Sequence, residues 1–152
     1  MQVHFAGVGE ACEESLPHTS LLVYTRKPRR CILLDCGFTS PPGVFRSIDS
    51  PEEIDAVWIS HFHGDHVFGL PLLLHRMREA QRNRPLLLAG QSGTLERVQR
   101  LADLAYPGLP EKIWRNRNKL APFSCPAYLG KDTDIWLIWS RLLRIWRAKA
   151  LH

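Results

Sequence analysis

Apolar residues in the first 110 positions fall into short runs separated by Gly, Pro and charged residues. Residues 3–8 read as a strand that enters a Gly-Val-Gly turn, and residues 19–24 as a second strand. Residues 31–35 form a third, apolar until it reaches Asp35. A Pro-rich turn over 39–43 and a short helix over 45–48 follow. Ser50-Pro51-Glu52-Glu53 has the chemistry of a cap and a first helical turn. Residues 56–60 predict a fourth strand. Gly69 and Pro71 open a helix to about Arg82, with Leu70, Leu73, Leu74 and Met77 on one stripe and His75 half-exposed. Residues 86–89 predict a fifth strand, and a helix capped near Ser92 runs to about Tyr106, where Pro107-Gly108-Leu109-Pro110 stops it. The order β-β-β-(α)-β-α-β-α predicts a mixed sheet covered by helices.

Between the fourth strand and its helix stands Ser60-His61-Phe62-His63-Gly64-Asp65-His66. Three imidazoles and a carboxylate within six residues are donors that zinc, iron and manganese accept, and a strand end is a rigid place from which to aim them. This H-x-H-x-D-H spacing predicts a metal site. Asp35, ending an apolar strand, needs partners for its charge. Two roles are open to it: capping a turn, or hydrogen-bonding to metal-ligating imidazoles. The Gly-x-Gly near the start is followed by no helix of the dinucleotide-binding kind. The basic turn Arg26-Lys27-Pro28-Arg29-Arg30 reads as a solvated hairpin tip.

Charge divides the chain. Residues 1–110 carry 11 Lys and Arg against 12 Asp and Glu, and residues 111–152 carry 9 against 3, so the net +5 belongs to the tail. Four of the five tryptophans, Trp114, Trp136, Trp139 and Trp146, also lie there. This predicts two parts, 1–112 and a basic, Trp-rich tail 113–152. Residues 134–149 fit a basic amphipathic helix, with Arg141, Arg144 and Arg147 spaced by three. A membrane- or nucleic-acid-binding helix and a substitute packing helix are two readings of the tail. A shift of reading frame near residue 114 is the third and the one favoured. The N-terminus lacks the pattern of a signal peptide, and no apolar run approaches the roughly 20 residues of a transmembrane helix. Cys12, Cys31, Cys36 and Cys125 show no C-x-x-C pair. They are expected to be reduced thiols, mostly buried, in a cytoplasmic protein.

The strand ending Leu33-Leu34-Asp35-Cys36-Gly37, the fourth strand, His61-x-His63-x-Asp65-His66 and Gly69-Leu70-Pro71 together resemble the metallo-β-lactamase fold. With Gly7-Val8-Gly9 and Ser20-Leu21-Leu22-Val23, the likeness over residues 1–110 is greatest to the ribonuclease Z (tRNA 3′-processing endonuclease) branch. The resemblance implies an α+β, αββα sandwich, of which this chain holds the N-terminal half. It implies a two-zinc hydrolase, with Mn2+ or Fe2+ as substitutes, in which His61 and His63 hold one metal and Asp65 and His66 the other. Asp65 would also carry the proton, and Asp35 would stand behind the ligands. The implied substrate is RNA, as a tRNA precursor, with ester or thioester hydrolysis as the alternative within the fold; a homodimer is the implied assembly. The family pattern needs three more ligands from later in the chain: two His and a bridging Asp. The histidines here are His4, His18, His61, His63, His66, His75 and His152, and none falls between 76 and 151. Asp132 and Asp134 lie in a stretch without the family pattern. The expectation is impaired activity, or a non-catalytic fragment or binding protein with a vestigial site.

Overall fold

The computed structural model describes residues 1–110. The tail expectations, including the helix over 134–149 and the frame shift, lie outside the described residues.

Five strands form one mixed sheet in chain order: β1 (Gln2–Gly7), β2 (Ser20–Tyr24), β3 (Cys31–Leu34), β4 (Ile54–Ile59) and β5 (Leu87–Gly90). β1, β2 and β3 pair antiparallel, joined by a loop over residues 8–19 and a turn over 25–30, and β3, β4 and β5 pair parallel. Parallel neighbours need crossovers. α1 (Pro41–Arg46) and a 3-10 turn at Pro51–Glu53 link β3 to β4. α2 (Gly64–Val67) and α3 (Leu70–Glu79) link β4 to β5, and α4 (Thr94–Ala105) follows.

Period-two alternation sorts the strand residues between two faces. Leu22, Cys31, Leu33, Val57 and Ile59 join Leu73, Met77, Val98 and Ala102 in the main core under the helices. Leu21, Val23 and Leu34 are buried on the opposite face, with Val3, Ile32 and Trp58 partly buried beside them. A sheet apolar on both faces is the middle of a layered fold. The expected element order holds, and two local details differ. The helix foreseen over 45–48 begins at Pro41, because Pro tolerates the first helical positions where no N–H is needed. The ligand stretch contains its own turn of helix, α2. The last helix is entered from Gly93 at φ +80°, next to Ser92 as expected. The capping box at Ser50 and Glu53 is present.

Candidate metal centre

The parallel strands β3 and β4 end side by side, and the cleft beyond their carboxyl ends is where such sheets place ligands. Asp35 follows β3, and Ser60 and His61 follow β4. The Asp35 N–H still donates to the Trp58 carbonyl at 2.9 Å, which prolongs the ladder by one step. Asp35 then turns with φ +58°, a conformation that Asp tolerates better than most residues. Gly37 lets this turn press on the ligand stretch, since a Cβ there would collide with the Asp65 carbonyl oxygen. Two backbone bonds complete the contact: Cys36 N–H to the His66 carbonyl at 2.7 Å, and Gly69 N–H to the Cys36 carbonyl at 2.8 Å.

Asp35 is only 2% exposed, yet its carboxylate is fully engaged. Oδ1 accepts the Ser60 N–H at 2.7 Å, and Oδ2 accepts the Ser60 hydroxyl at 2.7 Å and His66 Nδ1–H at 2.8 Å. Of the two roles open to it, the imidazole contact is the one formed: its carboxylate bonds Ser60 and His66 rather than its own turn. Ser60 extends that control. Its one hydroxyl proton goes to Asp35, so at 2.9 Å its oxygen accepts from His61 Nδ1–H. His61 is thereby held with its Nδ1–H toward Ser60, which leaves its Nε2 lone pair free, whereas His66 lies between two carboxylates, Nδ1 against Asp35 and Nε2 against Asp65. The sequence pattern assigns Ser60 no role of its own. Its place between strand and ligands was the available signal.

His61, His63 and His66 come together: ring centroids lie 4.6 Å apart for His61–His63 and 4.0 Å for His61–His66. Asp65 Oδ2 lies 3.1 Å from His66 Nε2. Burial, then the neighbouring His66 and His63, pushes the His61 pKa down, which favours the neutral ring with one lone pair available. Burial also opposes charge on His66, but the hydrogen bond and charge of Asp35, joined by Asp65, outweigh it and raise that pKa. His18, a loop residue by sequence, is buried beneath the Asp35 turn. Its N–H donates to Thr39 Oγ1 at 2.8 Å, and its ring meets Phe38 edge-on at 4.1 Å. His4 and His75 stay away: His4 bonds Ser47 Oγ at 2.8 Å, and His75 stacks on Tyr106 at 4.3 Å.

These donors suit a divalent cation in type and pairing. Two ligands at about 2.0–2.1 Å in a tetrahedral shell lie roughly 3.3 Å apart, and His66 Nε2 and Asp65 Oδ2 stand close to that separation. Among the described residues, however, no group of three or more His, Cys, Asp or Glu side chains is placed to hold a metal ion.

The family model for anti-Pycsar protein Apyc1 matches residues 1–98. The chain belongs to this family. The Apyc1-type region is also similar to the ribonuclease Z of Alkaliphilus oremlandii, 34% identical over 113 residues that cover 74% of this chain and 35% of that protein. Among solved structures, the short form of human tRNase Z superposes with a TM-score of 0.59 at 28% identity, covering 72% of this chain and 41% of that one. The metallo-β-lactamase-fold protein YhfI of Bacillus subtilis superposes with a TM-score of 0.59 at 19% identity, covering 82% and 45%. The fold is that of the metallo-β-lactamases, and the Apyc1-type region is ribonuclease Z-like and of a hydrolase family. The chain spans about a third of the length of the curated relatives it matches. Among the described residues no helix is long and apolar enough to cross a membrane.

Proposed function

We propose that residues 1–110 form one wall of a metal-dependent phosphodiesterase site, with RNA as the ribonuclease Z-like substrate. One observation carries this reading: Asp35 orients His66 directly and His61 through Ser60, which fixes two imidazoles of the ligand stretch, the Nε2 of His66 beside Asp65. His61 and His63 would hold one divalent ion, and Asp65 and His66 a second. Zinc suits this nitrogen and carboxylate set, with manganese or iron as substitutes. Such ions supply Lewis acidity, making an attacking water more acidic and neutralising charge on the phosphoryl oxygens.

The chain's own part is positional and protonic. Asp35 prevents the His66 ring from rotating, and Ser60 does the same for His61. Asp65, beside the candidate cation position, accepts the proton of the water that attacks phosphorus. As the P–O ester bond breaks, the leaving oxygen takes that proton back, so charge and protons balance. The lack of three gathered donors among the described residues favours a second reading, a non-catalytic binding protein with a partial site. A second chain that completes the site is a variant of the first.

Metal content and activity separate these readings. Purified full-length protein is expected to hold close to two zinc ions per chain, lost in His63→Ala and His66→Ala. It is expected to cleave bis(p-nitrophenyl) phosphate and single-stranded RNA rather than p-nitrophenyl acetate. Esterase activity alone moves the assignment to ester hydrolysis. Substoichiometric zinc with neither activity leaves the non-catalytic reading.

A further inference from the structure

Phe62 lies between two candidate ligands in sequence and takes no part in their chemistry. Its ring lies 4.4 Å beneath the Arg97 guanidinium of α4. Arg97, Arg100, Leu101 and Leu104 follow one another at i, i+3, i+4 and i+7, a single stripe along the helix. This stripe is distinct from the buried one of Thr94, Val98 and Ala102. It faces Phe62 and Phe68 across a groove of about 600 Å³. Phe68 is 53% exposed and Leu104 is 83% exposed, so both offer apolar surface to an occupant of the groove.

The two walls differ in chemistry. One offers aromatic faces, and the other offers guanidinium groups with aliphatic side chains between them. Asp103 also lines the groove, but its carboxylate already accepts the Gly108 N–H at 3.0 Å. Among the described residues neither Arg97 nor Arg100 has an ion-pair partner. Stacked rings beside unpaired cations suit an occupant with a flat π-face and a negative charge a few ångströms away. A nucleotide in an unpaired strand has both. A volume of this size accommodates one or two nucleotides. Stacking on Phe62 also restrains Arg97, so less freedom is lost when it binds a phosphate.

We propose that the groove between Phe62, Phe68 and the Arg97–Leu104 stripe is a nucleotide subsite for single-stranded RNA. Phe68 stacks a base, and Arg97 and Arg100 hold the adjoining phosphates, delivering the strand to the ligand stretch. The subsite rests on the phosphodiester reading above for its biological use, though not for its test.

The test is an anisotropy titration of the full chain with a short fluorescein-labelled single-stranded RNA, in chelator, over a range of salt concentrations. The basic tail contributes a constant background, so differences between variants are read. Arg97→Ala and Arg100→Ala are each expected to flatten the log affinity against log salt slope by about 0.7, the value for one phosphate contact on a single strand. Arg97→Lys and Arg100→Lys restore the slope. Phe68→Ala is expected to weaken binding about tenfold at an unchanged slope, the signature of a lost stack. Cooperative melts like the parent's establish that each variant is folded. If all three alanine variants match the parent in affinity and slope, the subsite is wrong. If Leu104→Glu abolishes a concentration-dependent dimer while RNA affinity stays the same, the groove is a self-association surface and the proposal falls. If the expected pattern appears without phosphodiester cleavage, the subsite stands and the catalytic reading fails.

Discussion

Two aspartates fasten the same pair of parallel strands at opposite ends. At the carboxyl end Asp35, following β3, reaches the Ser60 N–H after β4. At the amino end Asp55, in β4, reaches the Cys31 N–H of β3 at 2.8 Å. Their remaining partners differ. Asp55 is claimed by two guanidinium groups, Arg30 at 3.2 Å and Arg84. Asp35 meets only uncharged donors and an imidazole. A carboxylate neutralised by arginine has little charge left for chemistry, whereas one bound to a hydroxyl and an imidazole passes its polarity on to the groups they hold. Similar fasteners thus give a structural clamp at one end and a prepared site at the other.

The largest test of this contrast is Asp35→Ala. It removes the acceptor for three donors, leaves the Ser60 N–H and His66 Nδ1–H without their partner, and puts Ala where φ is +58°. Thermal or urea unfolding is expected to show a loss of about 3 kcal/mol, with zinc affinity falling as well. A variant that melts normally would break the comparison at its functional end.

Next comes Ser60→Ala, which frees His61 to change tautomer while Asp35 keeps His66. Zinc affinity by competition titration is expected to drop about tenfold, with unfolding shifted by only about 1 kcal/mol. Unchanged affinity would mean that Asp35 controls one imidazole, not two.

Asp55→Ala is expected to cost about 1 kcal/mol, chiefly from the lost Cys31 N–H acceptor, because partly exposed arginine pairs add little and are screened by salt. Arg30 and Arg84 are 54% and 45% exposed at the side chain. Zinc binding should not change. A loss of zinc would show that the two ends are coupled.

The smallest effect is a labelling pattern. Cys31 adjoins the clamp, where burial raises its pKa to about 11; Cys36 adjoins the site, where burial and then Asp35 push its thiol still higher. At pH 8 neither should react quickly with iodoacetamide, whereas exposed Cys12 should. Peptide mapping of Asp35→Ala should then show Cys36 opening while Cys31 stays closed.

Much of the fold was legible because its signals are local. Strand runs, the α3 stripe, the Ser50–Glu53 capping box and the H-x-H-x-D-H spacing each depend on residues a few positions apart. Buried Cys31 and Cys36 beside exposed Cys12 fit the expectation of mostly buried thiols among the described residues. The limits of α1 were less legible, since a Pro-rich stretch encodes a turn and a helix start equally well. His18 gave no signal, because its burial comes from the loop after Asp35, 21 residues away.

What the sequence determined by itself was the order of elements, the donor types and their placement at a strand end, all set by short-range periodicity and spacing. The tertiary structure decided which aspartate serves the site and which serves the strands. It also decided which partners anchor the His61 and His66 imidazoles and which residues of α4 face Phe62. Asp35 meets Ser60 and His66 across 25 and 31 residues of chain. Only the parallel pairing of β3 with β4 brings those positions within hydrogen-bonding distance, and that pairing depends on the crossover and on the apolar faces that bury it.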